Sequence, residues 1–376
     1  MTDKKHLIKL TQGLIRIRSE NPPGNECRIA RFVKKFLEQA GLKPKIYEFK
    51  KYRSNLVAVL PGRDRKHSLL VTPHLDTVPA GNNWKVPPFS GVFRNGCIYG
   101  RGASDDKGNL AVLMEAIRQI VKQKQSLNYN LIFAATADEE AGSHLGLAPL
   151  LEKRILNPQA ALILDAAEFK IIVTQKGLLH MKVKIKGKSA HGAYPGQGIN
   201  AIDNAINALS RIKSHKFTYK KNIFLRPPTI NIGRISGGDI VNMVADWCEF
   251  ELDLRFLPGM SVPVIIRQIK SIIKQHAKSF KLEIIARQMP SQIDCRHPLV
   301  SSLKESILAQ RITPQITGSE GATVLTFFEQ RGIPAVATGF SSSGCAHSSH
   351  ERVRINNLYK GVSILKDFFI NFKFTN

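Results

Sequence analysis

Acidic residues are scarce in this chain: 29 Asp and Glu stand against 55 Lys and Arg, a formal charge of +26. The excess is spread through short pieces such as KK, RK and KQK, with no basic block interleaved with aromatics. That pattern predicts a lysine-rich solvated surface and no nucleic-acid partner. A positive field would still steer small carboxylate substrates towards a cleft. Cysteine is equally thin. Its 5 copies are scattered and form no CxxC pair, which excludes a disulfide framework or a zinc knuckle and fits a reducing cytoplasm. No apolar run approaches the roughly 18–20 residues of a membrane helix, so no membrane partner is expected. The opening MTDKKHLIKLTQGLIRIRSE is charged throughout and reads as an amphipathic helix, not a signal peptide. Internal repeats and low-complexity linkers are also missing. What is there is an ordinary globular balance, 43% hydrophobic and 22% charged, in 376 residues, a length that suggests two domains.

The first ~175 residues alternate helix and strand patterns, which implies an α/β catalytic domain with a mixed, mostly parallel sheet covered by helices on both faces. Helices are predicted near 5–18, 26–40 and after Gly108, with strands near 44–50, 55–60, 68–73, in NLIFAATA and in AALILD. From about Leu178 the texture changes. HMKVKIKG alternates with the strand period, and two helices and three more strands follow within roughly 110 residues. We therefore expect an inserted α+β domain of two helices and four strands. The predicted division is 1–177 and 290–376 for the catalytic domain and 178–289 for a lid or dimerisation domain.

Five short stretches place a metal-grade side chain at or beyond an apolar, strand-like run. They hold His74 and Asp76 in HLDTVP, Asp105 in GRGASDDKG, Glu139 and Glu140 in DEEAGS, Asp165 after AALIL, and His347 in GCAHSSHERV. In open α/β sheets ligands gather at the carboxyl ends of the strands. Histidine with carboxylates suits zinc, or cobalt or manganese in its place. His74 and Asp76, two apart, would point one way, so Asp76 can orient the imidazole of His74. Asp105 could bridge two cations; on position alone, capping of the helix that follows by Asp105 or Asp106 is favoured. Three adjacent acids, Asp138 to Glu140, repel one another unless cations offset them. One glutamate there could bind metal while the other takes a proton from water; a solvated acidic turn is the alternative.

The order and texture of these motifs resemble the co-catalytic di-zinc metallohydrolases: acetylornithine deacetylase, succinyl-diaminopimelate desuccinylase, glutamate carboxypeptidase and aminoacylase. The resemblance runs over nearly the whole chain. It implies two zinc ions held by His74, Asp105, Glu140, Asp165 and His347, with Asp105 shared, Glu139 as general base and Asp76 supporting His74. His347 is preferred to His350 because the Ala-His step matches the family's ligand. GKSAHGAYPGQGINAI looks like the family's lid segment, whose histidine, here His191, polarises the scissile carbonyl. GGDIVNMVADWCEFELDLR resembles the stretch whose asparagine and arginine, here Asn242 and Arg255, contact the substrate carboxylate.

Two departures bear on substrate. The ligand after AALIL is often Glu in the deacylases, yet this chain has Asp165, with Glu168 nearby. GSEGA replaces a Thr-Asp-Ala pattern, so Ser319 and Glu320 alter the expected pocket. The resemblance implies a homodimeric, cytoplasmic deacylase of small N-acyl amino acids or short peptides bearing a free carboxylate. A carboxypeptidase or dipeptidase of the same family, and more distantly a non-catalytic binding dimer, are the alternatives.

Overall fold

The computed structural model describes residues 3–374. It divides into two compact units, the first made of residues 3–173, 293–317 and 327–374 and the second of 174–292 and 318–326. The expected boundaries thus shift by a few residues, and a short piece of the expected last segment joins the second unit. That piece carries Ser319 and Glu320. Lys176 Nζ lies 2.6 Å from Glu320 Oε2, and Gln175 Oε1 accepts from the backbone and hydroxyl of Thr323, which ties 318–326 to the start of the second unit.

At the centre of the first unit four strands run parallel, in the order Asn130–Ala135, Ser68–Thr72, Ala160–Leu164 and Ala335–Thr338. Every residue of Ser68–Thr72 and of Ala160–Leu164 is buried, as a strand covered on both faces requires. Antiparallel strands Ser54–Leu60 and Lys170–Gln175 flank the four. Parallel strands share one carboxyl edge. The segments after residues 72, 135, 164 and 338 therefore emerge together, and these carry the candidate ligands. The helix Lys107–Lys122 is buried at nearly every position from 107 to 120 and starts at that edge.

The sequence reading missed one small sheet. Val92–Arg94 and Cys97–Tyr99 form a hairpin, and Arg352–Arg354 pairs with its second strand. Asn95 and Gly96 both take positive φ, as a two-residue type I′ turn needs; the Asn-Gly dipeptide was the available signal. This sheet holds the segment after His347 against the GRGASDD turn.

The second unit is a four-stranded antiparallel sheet in the order Thr229–Gly237, Trp247–Phe256, Gly177–Lys186 and Phe280–Gln288. Two helices, Ala201–Ser214 and Val262–His276, bury their apolar stripes against one face. Trp247–Phe256 alternates strictly: Phe250, Leu252 and Leu254 face the helices, while Glu249, Glu251, Asp253 and Arg255 face the other way.

Candidate active site

His74 leaves the end of Ser68–Thr72 fully inside the protein. Its Nε2 lies 2.9 Å from Asp105 Oδ1, and its Nδ1 lies 3.0 Å from the carbonyl oxygen of Asp76. The second oxygen of Asp105 lies 3.0 Å from His347 Nε2, which also lies 3.2 Å from Glu140 Oε1. One carboxylate thus faces two histidines drawn from opposite ends of the chain. Two triads share it: His74, Asp105 and Asp165, then Asp105, Glu140 and His347, the ligand atoms of each lying within 4.8 Å of one another. Asp106, not Asp105, occupies the cap position of Lys107–Lys122, and its carboxylate instead accepts from the His74 backbone N–H at 3.1 Å and the Asn109 amide at 2.6 Å. Glu168 is exposed and accepts from the Ser343 hydroxyl, and His350 is exposed; neither belongs to a triad.

Asp76 contacts His74 Nδ1 through its backbone carbonyl; its nearer carboxylate oxygen lies 3.6 Å from that nitrogen, and the carboxylate is engaged elsewhere. Its two oxygens accept the backbone N–H groups of Glu139 (3.1 Å) and Glu140 (3.2 Å), so one buried carboxylate sets the turn that presents both glutamates. The Glu139 side chain takes no part in that anchoring. Asp138, the third acid of the run, lies beneath the turn at a positive φ. Arg53 reaches it at 2.8 Å and Leu145 N–H at 3.0 Å. Arg53 also pairs with buried Glu26, so this acid is structural.

The electrostatics follow from crowding. Burial opposes charge on Asp105, but hydrogen bonds with His347 and His74 win and hold its carboxyl well below the ordinary value. Burial raises Glu139 to about 7, with Asp105, Glu140 and Asp76 adding like charge against the help of His74. Asp165 is raised well above the ordinary value by burial and then by Glu139 and Asp105. His347 is raised to about 10 by Asp105 and Glu140, while His74 is raised against the cost of its own burial by Asp105 and Asp76. The cluster is therefore short of positive charge, and its donors are two imidazole nitrogens and carboxylate oxygens with no thiolate. That set fits two divalent cations of the zinc, cobalt or manganese type sharing Asp105.

Sequence reasoning overlooked the pair that ties these loops together. Glu351 accepts the backbone N–H of Ser104 at 2.9 Å and of Asp105 at 3.1 Å, and it is paired with Arg101. Arg101 also donates to the carbonyls of Ala80 (3.1 Å) and His347 (3.3 Å). Their side chains are 2% and 0% exposed. A buried pair broken on one side costs about 3–5 kcal/mol. Glu351→Gln is therefore expected to lower Tm by several degrees and to weaken metal binding, because the Asp105 turn and the His347 loop lose their common tether. Calorimetric unfolding with and without metal checks this; an unchanged Tm would make the pair dispensable.

The three remaining candidates lie in the second unit. His191 is exposed, and its Nδ1 accepts from Ala193 N–H at 3.0 Å, which leaves Nε2–H as the donor. Asn242 is exposed, and its backbone carbonyl accepts from Gly192 N–H at 2.8 Å. Arg255 is already engaged: its guanidinium forms a two-bond pair with Asp253, at 2.8 and 3.0 Å.

Comparison with known proteins places this arrangement. The family described as Peptidase family M20/M25/M40 matches residues 70–371. Acetylornithine deacetylase of Edwardsiella ictaluri is 31% identical over 294 residues, 75% of this chain and 74% of its own length. An uncharacterized metallohydrolase of Methanocaldococcus jannaschii is 29% identical across 94% of this chain and 96% of its own. A tripeptidase structure from Staphylococcus aureus has a TM-score of 0.82 at 25% identity, over 98% of both chains.

Proposed function

This chain belongs to peptidase family M20/M25/M40 and is a metal-dependent hydrolase of amide or peptide bonds, and from that premise we propose a dinuclear zinc enzyme for small N-acyl amino acids or short peptides with a free carboxylate. The observation that carries this is Asp105, whose two oxygens face His74 and His347 and so suit a carboxylate held in common by two cations. His74 and Asp165 would complete one side, and Glu140 and His347 the other. When bound, the cations would polarise the scissile carbonyl and make water a better nucleophile.

The chain's own residues then have separable tasks. Glu139 takes the proton of the attacking water and returns it to the leaving amine; its side chain is free because Asp76 anchors only the backbone. His191, fixed as the Nε2–H tautomer, donates to the oxygen that becomes negative in the tetrahedral intermediate. Asn242 and Arg255 receive the substrate carboxylate, and for Arg255 this requires the Asp253 pair to open. A homodimer through the second unit is supported by its edge strand Thr229–Gly237 and by exposed Ile235, Ile240, Val241 and Met243, an apolar patch of the kind that marks interfaces.

Deacylase is preferred because the Edwardsiella ictaluri relative is an acetylornithine deacetylase; the similarity to a tripeptidase favours a peptidase as the second reading. Rates of the zinc-loaded protein on N-acetyl and N-succinyl amino acids against di- and tripeptides decide between them. Turnover confined to peptides would reject the deacylase.

The Arg255 assignment predicts a selective loss. Truncating one partner of a buried charge pair costs about 2–5 kcal/mol, so Arg255→Ala should reduce kcat/KM at least about tenfold on the free acid and hardly at all on its amide. Equal losses on both would make Arg255 a partner of Asp253 only.

A further inference from the structure

The positive charge of the second unit is sorted by face. On the open face of its sheet most cations are paired: Lys182 lies 2.6 Å from Glu249, Arg255 pairs with Asp253, and Lys281 lies 2.7 Å from Glu283, while Lys186 and Arg234 form no ion pair with a described carboxylate. On the helical face the pattern reverses. There is no acidic residue from 204 to 238, or from 254 to 282. These two acid-free stretches hold all of the helix Val262–His276 and all of the helix Ala201–Ser214 beyond Asp203 in its first turn, and the two helices pack side by side over one core. Arg211 and Lys213 on the first and Lys216 just past its end, with Arg267, Lys270 and Lys274 on the second, are all exposed. None of the six forms an ion pair with a described carboxylate, in contrast to Lys182, Arg255 and Lys281 on the sheet face.

Between the helices lies an open groove of about 500 Å³. Arg211, Lys216 and the polar side chains of Ser214, Ser271, Gln268 and Gln275 line it, with no carboxylate. Cations alternating with hydroxyl and amide donors match phosphodiester oxygens, which accept from both. Phe, Tyr and Trp are missing from the groove lining, and its one ring, His215, is packed edge-on against Phe217, so the lining offers no platform for stacking successive bases of a single strand. From this we infer that the helical face of the second unit is a sequence-independent docking surface for a nucleic-acid duplex, bound through its phosphate backbone. A uniform lysine surface, expected from the sequence, would give no such face. The inference is independent of the amidase reading, because it uses no residue of the candidate active site.

The test is an anisotropy titration of a labelled DNA duplex of ~20 base pairs against the full-length protein at about 50 and 200 mM salt. About five phosphate contacts predict a loss of roughly 10²–10³-fold in affinity between those salts. Lys270→Gln/Lys274→Gln should weaken binding about tenfold at the lower salt and flatten the salt slope by nearly two. The charge-matched control Lys184→Gln/Lys281→Gln, at lysines of the sheet face that lie beside Glu249 and Glu283, should change it little, and hydrolase activity should be unaffected by Lys270→Gln/Lys274→Gln. Equal weakening by both pairs would reduce the effect to net charge and overturn the surface. So would no binding at the lower salt, or tighter binding to phosphatidylserine vesicles than to the duplex under identical conditions.

Discussion

Glu139→Gln is expected to keep both metal ions and lose most of its turnover. The substitution is nearly isosteric, and the turn it sits on is held by Asp76 through the backbone N–H groups of residues 139 and 140, which an amide side chain leaves intact. Neither triad of candidate ligands includes Glu139, so metal content has no reason to fall. What disappears is the group proposed to accept a proton from water and pass it to the leaving amine. Loss of a general base costs about 10²–10⁴-fold in rate, and the upper end applies where one residue serves both steps. Metal analysis beside kcat on the preferred substrate checks it. A variant within a few-fold of the parent rate would remove Glu139 from catalysis, and one that lost metal would make it a ligand.

Asp105→Ala should do the opposite and empty the site. Its two oxygens face different histidines, so one truncation removes a donor from both triads at once and leaves His74 and His347 without their shortest acidic contacts. Activity should fall below detection, and tightly held metal should drop from two ions towards none. Asp165→Ala belongs to one triad only and should retain about one ion by the same count of donors. Glu168→Ala should retain both, since Glu168 is turned towards Ser343. Stoichiometry by metal analysis after gel filtration separates all three. Two ions in the Asp105 variant would return that residue to a purely local role at the helix start.

These expectations could be framed from the sequence because parallel strands end at one edge. An acid or histidine just past an apolar run is automatically near others of its kind, however far apart in the chain. HLD, DEE and the aspartate after AALIL were legible for that reason, and the alternation of HMKVKIKG marked the half-buried strand with which the second unit opens. The Asn-Gly turn at 95–96 was also legible in principle. Other features had no local signature. Glu351 supports Asp105 and Arg101 from about 250 positions away, and Arg53 clamps Asp138 across 85; no periodicity links such partners, because packing alone brings them together. The same distinction governs charge. Composition determined that the protein is strongly basic. Only the tertiary structure decided where that charge is cancelled: a strand alternates residues between two faces and can set acids opposite lysines on the neighbouring strand, whereas the two helices came from stretches that contain no acids to offer beyond Asp203.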